Sequence, residues 1–106
     1  MKFRRLGRTD YQVSEIGHGL WGMGGWAGSD DAQSLDALRA SANGGCNFFD
    51  SAYEYGDGRS DRLLGRLLAA NPGRRLYAAS KIPPQNRHWP GLPEDSFPTS
   101  SPGIMC

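Results

Sequence analysis

Apolar residues recur every three or four positions in two segments of the chain, and short apolar runs precede, separate and follow those segments. The three-to-four spacing predicts amphipathic helices that pack one face against a sheet. The short runs predict buried strands, and their alternation with helices predicts parallel strands joined by right-handed crossovers. In chain order the predicted elements are a strand over 17–21, a helix over 31–43, a strand over 46–49, a helix over 61–70 and a strand over 76–80.

Residues that satisfy free backbone groups mark the predicted helix ends. Asp30 is the predicted N-cap of the first helix, with Gln33 three residues further on, and Gly44 is its predicted C′ residue. Ser60 is the predicted N-cap of the second helix, which is expected to end at 71–73. The predicted core-facing side chains are Leu35, Leu38, Ala42, Leu63, Leu64, Leu67 and Leu68.

Two further segments lie outside this alternation. Residues 3–16 predict a β-hairpin with its turn at 7–10, because Gly and Asp in the turn are flanked by β-forming residues. Residues 82–106 hold six of the seven prolines and show no helical or strand period, which predicts a loop or a disordered tail. We therefore expect a folded part over 1–84 and a Pro/Ser-rich tail over 85–106.

Length, charge and cysteine content narrow the class of protein. The 106 residues suffice for one domain, and a net charge of +1 predicts no general attraction to nucleic acid or to a membrane surface. No apolar run of signal-peptide or membrane-spanning length follows the basic start. Two cysteines, Cys46 and Cys106, do not make a disulfide framework. We expect a reduced, cytoplasmic protein that binds neither nucleic acid nor membrane.

Three residues with complementary chemistry follow the predicted strands. Asp50 closes the second strand, Tyr55 lies in the next loop and Lys81 closes the third strand. Ligands of parallel α/β proteins collect at the carboxyl ends of the strands, so these side chains are expected to meet there. A tyrosine has an ordinary pKa of about 10, and a neighbouring ammonium stabilises its phenolate. The trio predicts proton transfer without a metal, with Asp50 holding Lys81 and Lys81 tuning Tyr55 as a general acid.

Each of these residues also has an ordinary structural interpretation. An aspartate after a strand is often a cap, a loop tyrosine often only packs, and a lysine at a strand end is usually solvated. The joint order and flanking residues favour the catalytic interpretation. Trp21, Trp26 and Tyr53 favour an apolar or aromatic pocket wall.

The same segments resemble a known family. The run G-x-N-F-F-D-S-A-x-x-Y-G-x-G-x-S-x-x-L-L-G over 45–65, the A-S-K of 79–81 and the G-x-G-x-W of 17–21 are similar to the N-terminal third of an aldo/keto reductase. This resemblance covers about 1–84 and implies the N-terminal part of a (β/α)₈ TIM barrel: the hairpin and about three βα units. It implies reduction of small carbonyl substrates, aldehydes and ketones, by hydride transfer from NADPH, with NADH as the less common alternative.

The resemblance also implies roles for individual residues. Asp50, Tyr55 and Lys81 match three members of the family's catalytic tetrad. The residues that it implies for the cofactor side of the pocket are Trp21, Gly22, Met23 and Asp50. The fourth tetrad member is a histidine, and neither His18 nor His88 occupies a matching position. His18, in the first strand, is expected to be packed or hydrogen-bonded instead.

The chain is short for such a barrel, which needs about 250 residues. We therefore expect an incomplete reductase that has no measurable activity alone, binds NADPH weakly or not at all, and exposes strand edges able to pair with another chain. Two alternatives stay open from the sequence. One is a non-catalytic short binding or regulatory protein derived from the same family, and the other is a small α/β binding domain of another kind.

Overall fold

The structure is a computed structural model that describes residues 1–26, 28 and 30–84, so the predicted tail and His88 lie outside the described residues. An antiparallel hairpin comes first, and a three-stranded parallel sheet with two helices follows it. A 3₁₀ turn over Trp21–Met23 follows the third strand. The elements are β1 (Phe3–Arg5), β2 (Gln12–Ser14), β3 (His18–Gly19), α1 (Asp31–Asn43), β4 (Phe48–Asp50), α2 (Arg59–Ala70) and β5 (Tyr77–Ala79).

The parallel sheet has the order β3-β4-β5, with Phe49 opposite His18 on one side and opposite Ala78 on the other. The predicted alternation of parallel strands and helices is thus confirmed in the described part of the chain. Backbone hydrogen bonds continue past the strand ends, from Ser51 N to the Ala79 carbonyl at 2.8 Å and from Tyr53 N to the Lys81 carbonyl at 3.0 Å. These bonds fix the carboxyl ends of β4 and β5 side by side.

One core lies between the sheet and the helices. Phe49 in β4 and Leu38 in α1 are both fully buried, and Cys46 is a buried free thiol. The helical periodicity therefore predicted the packed faces well; Leu68 is only partly buried at the margin. The other buried members of this core are Leu20, Met23, Leu35, Ala42, Leu63, Leu64 and Leu67.

The start of α2 differs from the prediction. Helix α2 begins at Arg59, and its N-cap is Gly58 with φ +95°, so the assignment of Ser60 as N-cap was wrong. Ser60 is fully buried inside the first turn, where its hydroxyl lies 2.7 Å from that of Ser51. The left-handed backbone at Gly58 lets the helix start earlier, and it turns the serine inward rather than toward the free helix end.

The end of α1 differs by one residue. Gly44 is the C-cap with φ −79°, and Gly45 is the residue in the left-handed conformation, with φ +103°. The assignment of Gly44 as C′ was therefore wrong, since a pair of adjacent glycines does not reveal which of them reverses the chain. The N-cap prediction is confirmed, because the Asp30 carboxylate accepts a hydrogen bond from Gln33 N at 2.7 Å.

β3 and β5 are shorter than predicted at both ends, whereas β4 begins two residues later than predicted and ends one residue later, at Asp50. β3 stops at Gly19, because Trp21 enters the 3₁₀ turn that follows Leu20. β4 begins at Phe48 and not at Cys46, whose buried thiol contacts backbone carbonyls instead. Within the described residues, neither helix combines the length and apolarity that crossing a membrane requires.

His18 is partly buried in β3 and hydrogen-bonded there, as expected from the sequence. Its Nδ1 lies 2.7 Å from the Ser41 hydroxyl, and its ring lies near that of Phe49. Burial lowers its pKa from the ordinary 6.5. Between the lowered pKa of the folded state and 6.5, the unfolded chain binds a proton that the folded chain does not. The stability that neutral His18 confers is therefore complete above pH 6.5, and it is lost as the pH falls through the pKa of the folded state.

We expect the free energy of unfolding to decrease between neutral and mildly acidic pH, and His18→Gln to flatten that decrease. Urea denaturation across this range measures both effects. His88→Gln is the matched control, because the chain has two histidines in all. An unchanged slope in His18→Gln would contradict the assignment of this pH dependence to His18.

Candidate active site

The carboxyl ends of β4 and β5 bring an acid and an ammonium into contact. Asp50 is the last residue of β4, and Lys81 follows β5 by two residues. The Lys81 Nζ lies 2.7 Å from Asp50 Oδ1 and 2.8 Å from the Ser51 carbonyl oxygen. Both side chains are about half exposed, so the pair is held in place yet open to a ligand.

Tyr55 completes the group. The loop after β4 returns the tyrosine toward the strand ends, with Tyr55 N donating to the Ala52 carbonyl at 3.0 Å. Its half-buried ring packs against the core, and the Lys81 Nζ lies 5.4 Å from the ring centroid. The structure therefore brings together the three residues that the sequence singled out, although Asp50 and Lys81 are 31 positions apart.

The environment of Lys81 favours its charged form. The hydrogen bond to the Asp50 carboxylate raises the pKa of Lys81 above the ordinary 10.5, and partial burial opposes this effect. The charge of Asp50 and the neighbouring Tyr55 raise the pKa further. Lys81 is thus a fixed positive charge beside a phenol at neutral pH.

Aromatic rings form a wall beside this group. The ring centroids of Trp21 and Trp26 lie 5.1 Å apart. The rings of Trp26 and Tyr55 are packed edge-to-face, with 6.4 Å between their centroids. Trp26 covers Gly24 so closely that a Cβ there would lie 2.2 Å from the indole ring. Trp21 is 64% exposed and Trp26 48% exposed, so this wall presents apolar surface to a ligand rather than to the core.

The remaining residues predicted on the cofactor side occupy different environments. Gly22 is exposed, with open space where a side chain would begin. Met23 is only 8% exposed, and its side chain packs in the core. The Met23 carbonyl accepts a hydrogen bond from Arg59 Nη1 at 3.3 Å. The 3₁₀ turn therefore presents Trp21 and Gly22 outward and is anchored through Met23.

Arg59 is a residue that sequence reasoning missed. Besides its bond to Met23, its guanidinium contacts the Asp31 carboxylate, with Nη2–Oδ1 2.8 Å and Nε–Oδ1 3.0 Å. It thus joins the first turn of α2 to the first turn of α1 and to the 3₁₀ turn. No local pattern distinguishes it from the other arginines of α2, because its partners lie in distant segments.

A cluster of hydroxyl groups around Asp61 was also missed. Asp61, in the first turn of α2, accepts hydrogen bonds from Ser51 at 2.6 Å and from Ser80 at 2.9 Å. Ser51 directly follows Asp50, and Ser80 directly precedes Lys81. This adjacency could have indicated the cluster from the sequence. If Asp50 and Lys81 lie at neighbouring strand ends, the serines next to them lie close together as well.

Proton transfer by side chains is the chemistry that this geometry allows. Over residues 1–26, 28 and 30–84, no three His, Cys, Asp or Glu side chains are grouped as a metal site would need. A phenol beside a fixed ammonium can protonate an oxygen that gains negative charge. The exposed aromatic wall next to it can hold a planar or apolar molecule.

Parallel strands joined by crossover helices, with polar side chains at the strand ends, define a domain of the parallel α/β class. The model of the aldo/keto reductase family matches residues 15–97 of this chain. The chain belongs to the aldo/keto reductase family, and its fold is an N-terminal portion of that family's (β/α)₈ barrel. The resemblance read from the sequence is thereby confirmed.

Individual relatives agree with the family assignment. The aldo-keto reductase YhdN of Bacillus subtilis is 33% identical over 70 residues, which are 64% of this chain and 21% of the relative. The NADH-specific methylglyoxal reductase of Escherichia coli is 33% identical over 85 residues, which are 76% of this chain and 26% of the relative. The chain thus spans between a fifth and about a quarter of the length of these two relatives.

A solved structure supports the same fold. The aldo-keto reductase from Klebsiella pneumoniae in complex with NADPH is similar with a TM-score of 0.66 and 30% sequence identity. The match covers 85% of this chain and 31% of that one.

Proposed function

We propose that this chain supplies the proton-donating part of a nicotinamide-dependent reductase that converts aldehydes or ketones to alcohols. The observation that carries the proposal is the position of Lys81, whose ammonium contacts Asp50 and lies over the Tyr55 ring. A family assignment alone supports an oxidoreductase, and this geometry supports the particular roles of the three side chains.

Each side chain has a distinct role in the proposal. Tyr55 donates its phenolic proton to the carbonyl oxygen of the substrate as that oxygen becomes an alcohol. Lys81 stabilises the phenolate that remains, because its positive charge lies beside the ring. Asp50 keeps Lys81 in place, with its carboxylate 2.7 Å from the ammonium.

The exposed residues at the strand ends fit a nicotinamide ring. Trp21 and Gly22 leave an open, partly apolar surface just after the point where Leu20 N donates to the Asp50 carbonyl at 2.9 Å, which suits a planar ring with a polar amide. We propose that Trp21, Gly22 and Asp50 hold this end of the cofactor, with Met23 contributing only through its backbone. The cofactor supplies the hydride when bound, and the protein supplies position and charge.

NADPH is the proposed cofactor, and NADH is the alternative. One similar structure is a complex with NADPH, and one similar protein is NADH-specific. Titration of both cofactors against the same protein, followed by fluorescence, distinguishes them. We also propose a cytoplasmic location, which the buried free thiol of Cys46 supports.

The proposal is tested with and without the rest of a barrel. We expect the 106-residue chain alone to show no measurable oxidation of NADPH with 4-nitrobenzaldehyde, because the three parallel strands of the described residues do not enclose a cofactor. We define the grafted barrel as YhdN with its matching segment replaced by residues 1–84 of this chain. We expect the grafted barrel to reduce the aldehyde and Lys81→Met to reduce kcat strongly.

Two outcomes would contradict these expectations. The first is turnover by the 106-residue chain that saturates with NADPH, which would show that this chain is active without the rest of a barrel. The second is a folded grafted barrel that binds NADPH but never reduces a carbonyl compound. Circular dichroism and cofactor binding establish that the graft is folded before activity is compared.

A further inference from the structure

We propose that Asp61 is a positioning residue whose carboxylate holds Ser51 and Ser80, and through them the contact between Lys81 and Asp50. This inference rests on the proposed function, because it identifies what keeps the proton-donating group in register. The Lys81 ammonium donates to Asp50 and to the Ser51 carbonyl, whereas Asp61 accepts from the hydroxyls of Ser51 and Ser80, so its effect is transmitted through these two serines.

The Asp61 carboxylate connects three elements of the fold: α2, β4 and β5. Asp61 lies in the first turn of α2, Ser51 follows β4 and Ser80 follows β5. The Ser51 hydroxyl donates to Oδ1 at 2.6 Å, and the Ser80 hydroxyl lies 2.9 Å from Oδ1 and 3.1 Å from Oδ2. A single side chain on the helix thus ties together the two strand ends that carry Asp50 and Lys81.

Ser51 connects this cluster to the ammonium. Its carbonyl oxygen is the second acceptor of the Lys81 Nζ, at 2.8 Å, besides the Asp50 carboxylate. Its amide donates to the Ala79 carbonyl at 2.8 Å, and its fully buried hydroxyl donates to Asp61. Any shift of Ser51 therefore moves an acceptor of Lys81 and the residue next to Asp50.

A carboxylate suits this position better than a neutral acceptor. Hydrogen bonds to an ionised acceptor are roughly twice as strong as those between neutral groups. The first turn of a helix stabilises negative charge, because its free amide groups point toward it. Removing the carboxylate would also leave two serine hydroxyls without their charged acceptor at the place where β4, β5 and α2 meet.

The test observes Lys81 directly by NMR in the 106-residue chain labelled with ¹³C,¹⁵N-lysine. The chain contains two lysines, Lys2 and Lys81, so the side-chain spectrum holds one probe and one internal reference. Two readouts are taken: the pKa of the Lys81 ammonium, and the separation of its two ε-methylene proton signals, which persists only when the side chain is held in one conformation.

We expect Asp61→Ala to lower the pKa of Lys81 toward the ordinary 10.5 and to merge its two ε-proton signals. Asp61→Asn, which keeps the shape and one acceptor oxygen, should give an intermediate result and is less disruptive to the start of α2. Asp36→Ala removes an exposed aspartate that pairs with Arg39 on α1, and we expect it to leave Lys81 unchanged.

Ser51→Ala and Ser80→Ala separate positioning from charge. Both keep the negative charge of Asp61 and remove a hydroxyl that binds it. Positioning through the serines predicts that each variant moves the Lys81 signals in the same direction as Asp61→Ala. If only Asp61→Ala changes them, the effect is one of charge and the inference is overturned.

Asp50→Asn distinguishes failure of this inference from failure of the proposed function. If Asp50→Asn leaves the Lys81 signals unchanged, the ion pair itself is wrong and the proposed function loses its main support. If Asp50→Asn lowers the pKa of Lys81 and Asp61→Ala does not, only the positioning role is overturned. Should the 106-residue chain precipitate, the same variants are measured in the grafted barrel, where the signal lost in Lys81→Arg identifies Lys81.

Discussion

Tyr55→Phe in the grafted barrel is expected to abolish carbonyl reduction and to leave cofactor binding nearly unchanged. The substitution removes only the hydroxyl, and the ring that packs on the core and meets Trp26 edge-to-face remains. Loss of a positioned general acid typically lowers the rate by about 10²–10⁴-fold. The measurement is kcat with 4-nitrobenzaldehyde, together with the dissociation constant of NADPH.

Tyr53→Phe is the matched control, because Tyr53 lies in the same loop and its side chain is also partly exposed. It is expected to keep most of the activity. Full activity in Tyr55→Phe would remove Tyr55 from its assigned role. A parallel loss of cofactor binding in Tyr55→Phe would instead assign the hydroxyl to binding rather than to proton transfer.

The order of elements was predictable because its signals are local. The leucine spacing of α1 and α2 and the short apolar runs around Phe49 and Tyr77 follow from the periodicity of each element alone. The meeting of Asp50 with Lys81 was also predictable, because consecutive parallel strands joined by a crossover place their carboxyl ends at one edge of the sheet.

The loop between β4 and α2 was not predictable in the same way. Its backbone is left-handed at Gly56, Asp57 and Gly58, with φ +78°, +52° and +95°. That conformation starts α2 at Arg59 and turns Ser60 inward toward Ser51, so a serine that looks like a helix cap becomes a buried partner. Such contacts depend on how distant segments pack, and they cannot be predicted from the spacing of residues along the chain.

The same limit applies to the 3₁₀ turn. Trp21 was predicted as the end of a strand, yet it lies in the turn, and its ring is tilted by 51° against that of Trp26. The turn is held by Arg59, whose partners Met23 and Asp31 come from two other segments. The candidate catalytic residues were therefore identifiable from the sequence, and most of the residues that hold them in place were not.

Gly56→Ala is expected to lower the free energy of unfolding severely. Gly56 has φ +78°, and a Cβ there would lie 2.4 Å from the Gly24 carbonyl oxygen and 3.0 Å from the Arg59 Cβ. Left-handed strain and overpacking each cost about 1–3 kcal/mol, so a loss of roughly 2–5 kcal/mol is expected. Because the clash is with backbone, side-chain rotation does not relieve it, and urea denaturation should show the loss.

Gly65→Ala is the matched control for the same chemical change. Gly65 lies inside α2 with open space around its missing Cβ. Alanine in a helix interior is favoured over glycine by about 0.5–1 kcal/mol, so this variant should gain stability.

The close approach of Gly56 to Gly24 brings the loop that carries Tyr55 against the segment that carries Trp26. Gly56→Ala should therefore also move the Tyr55 and Trp26 rings apart. Equal stability of the two variants would show that the loops do not approach each other this closely, and the aromatic wall beside Tyr55 would then lose its structural basis.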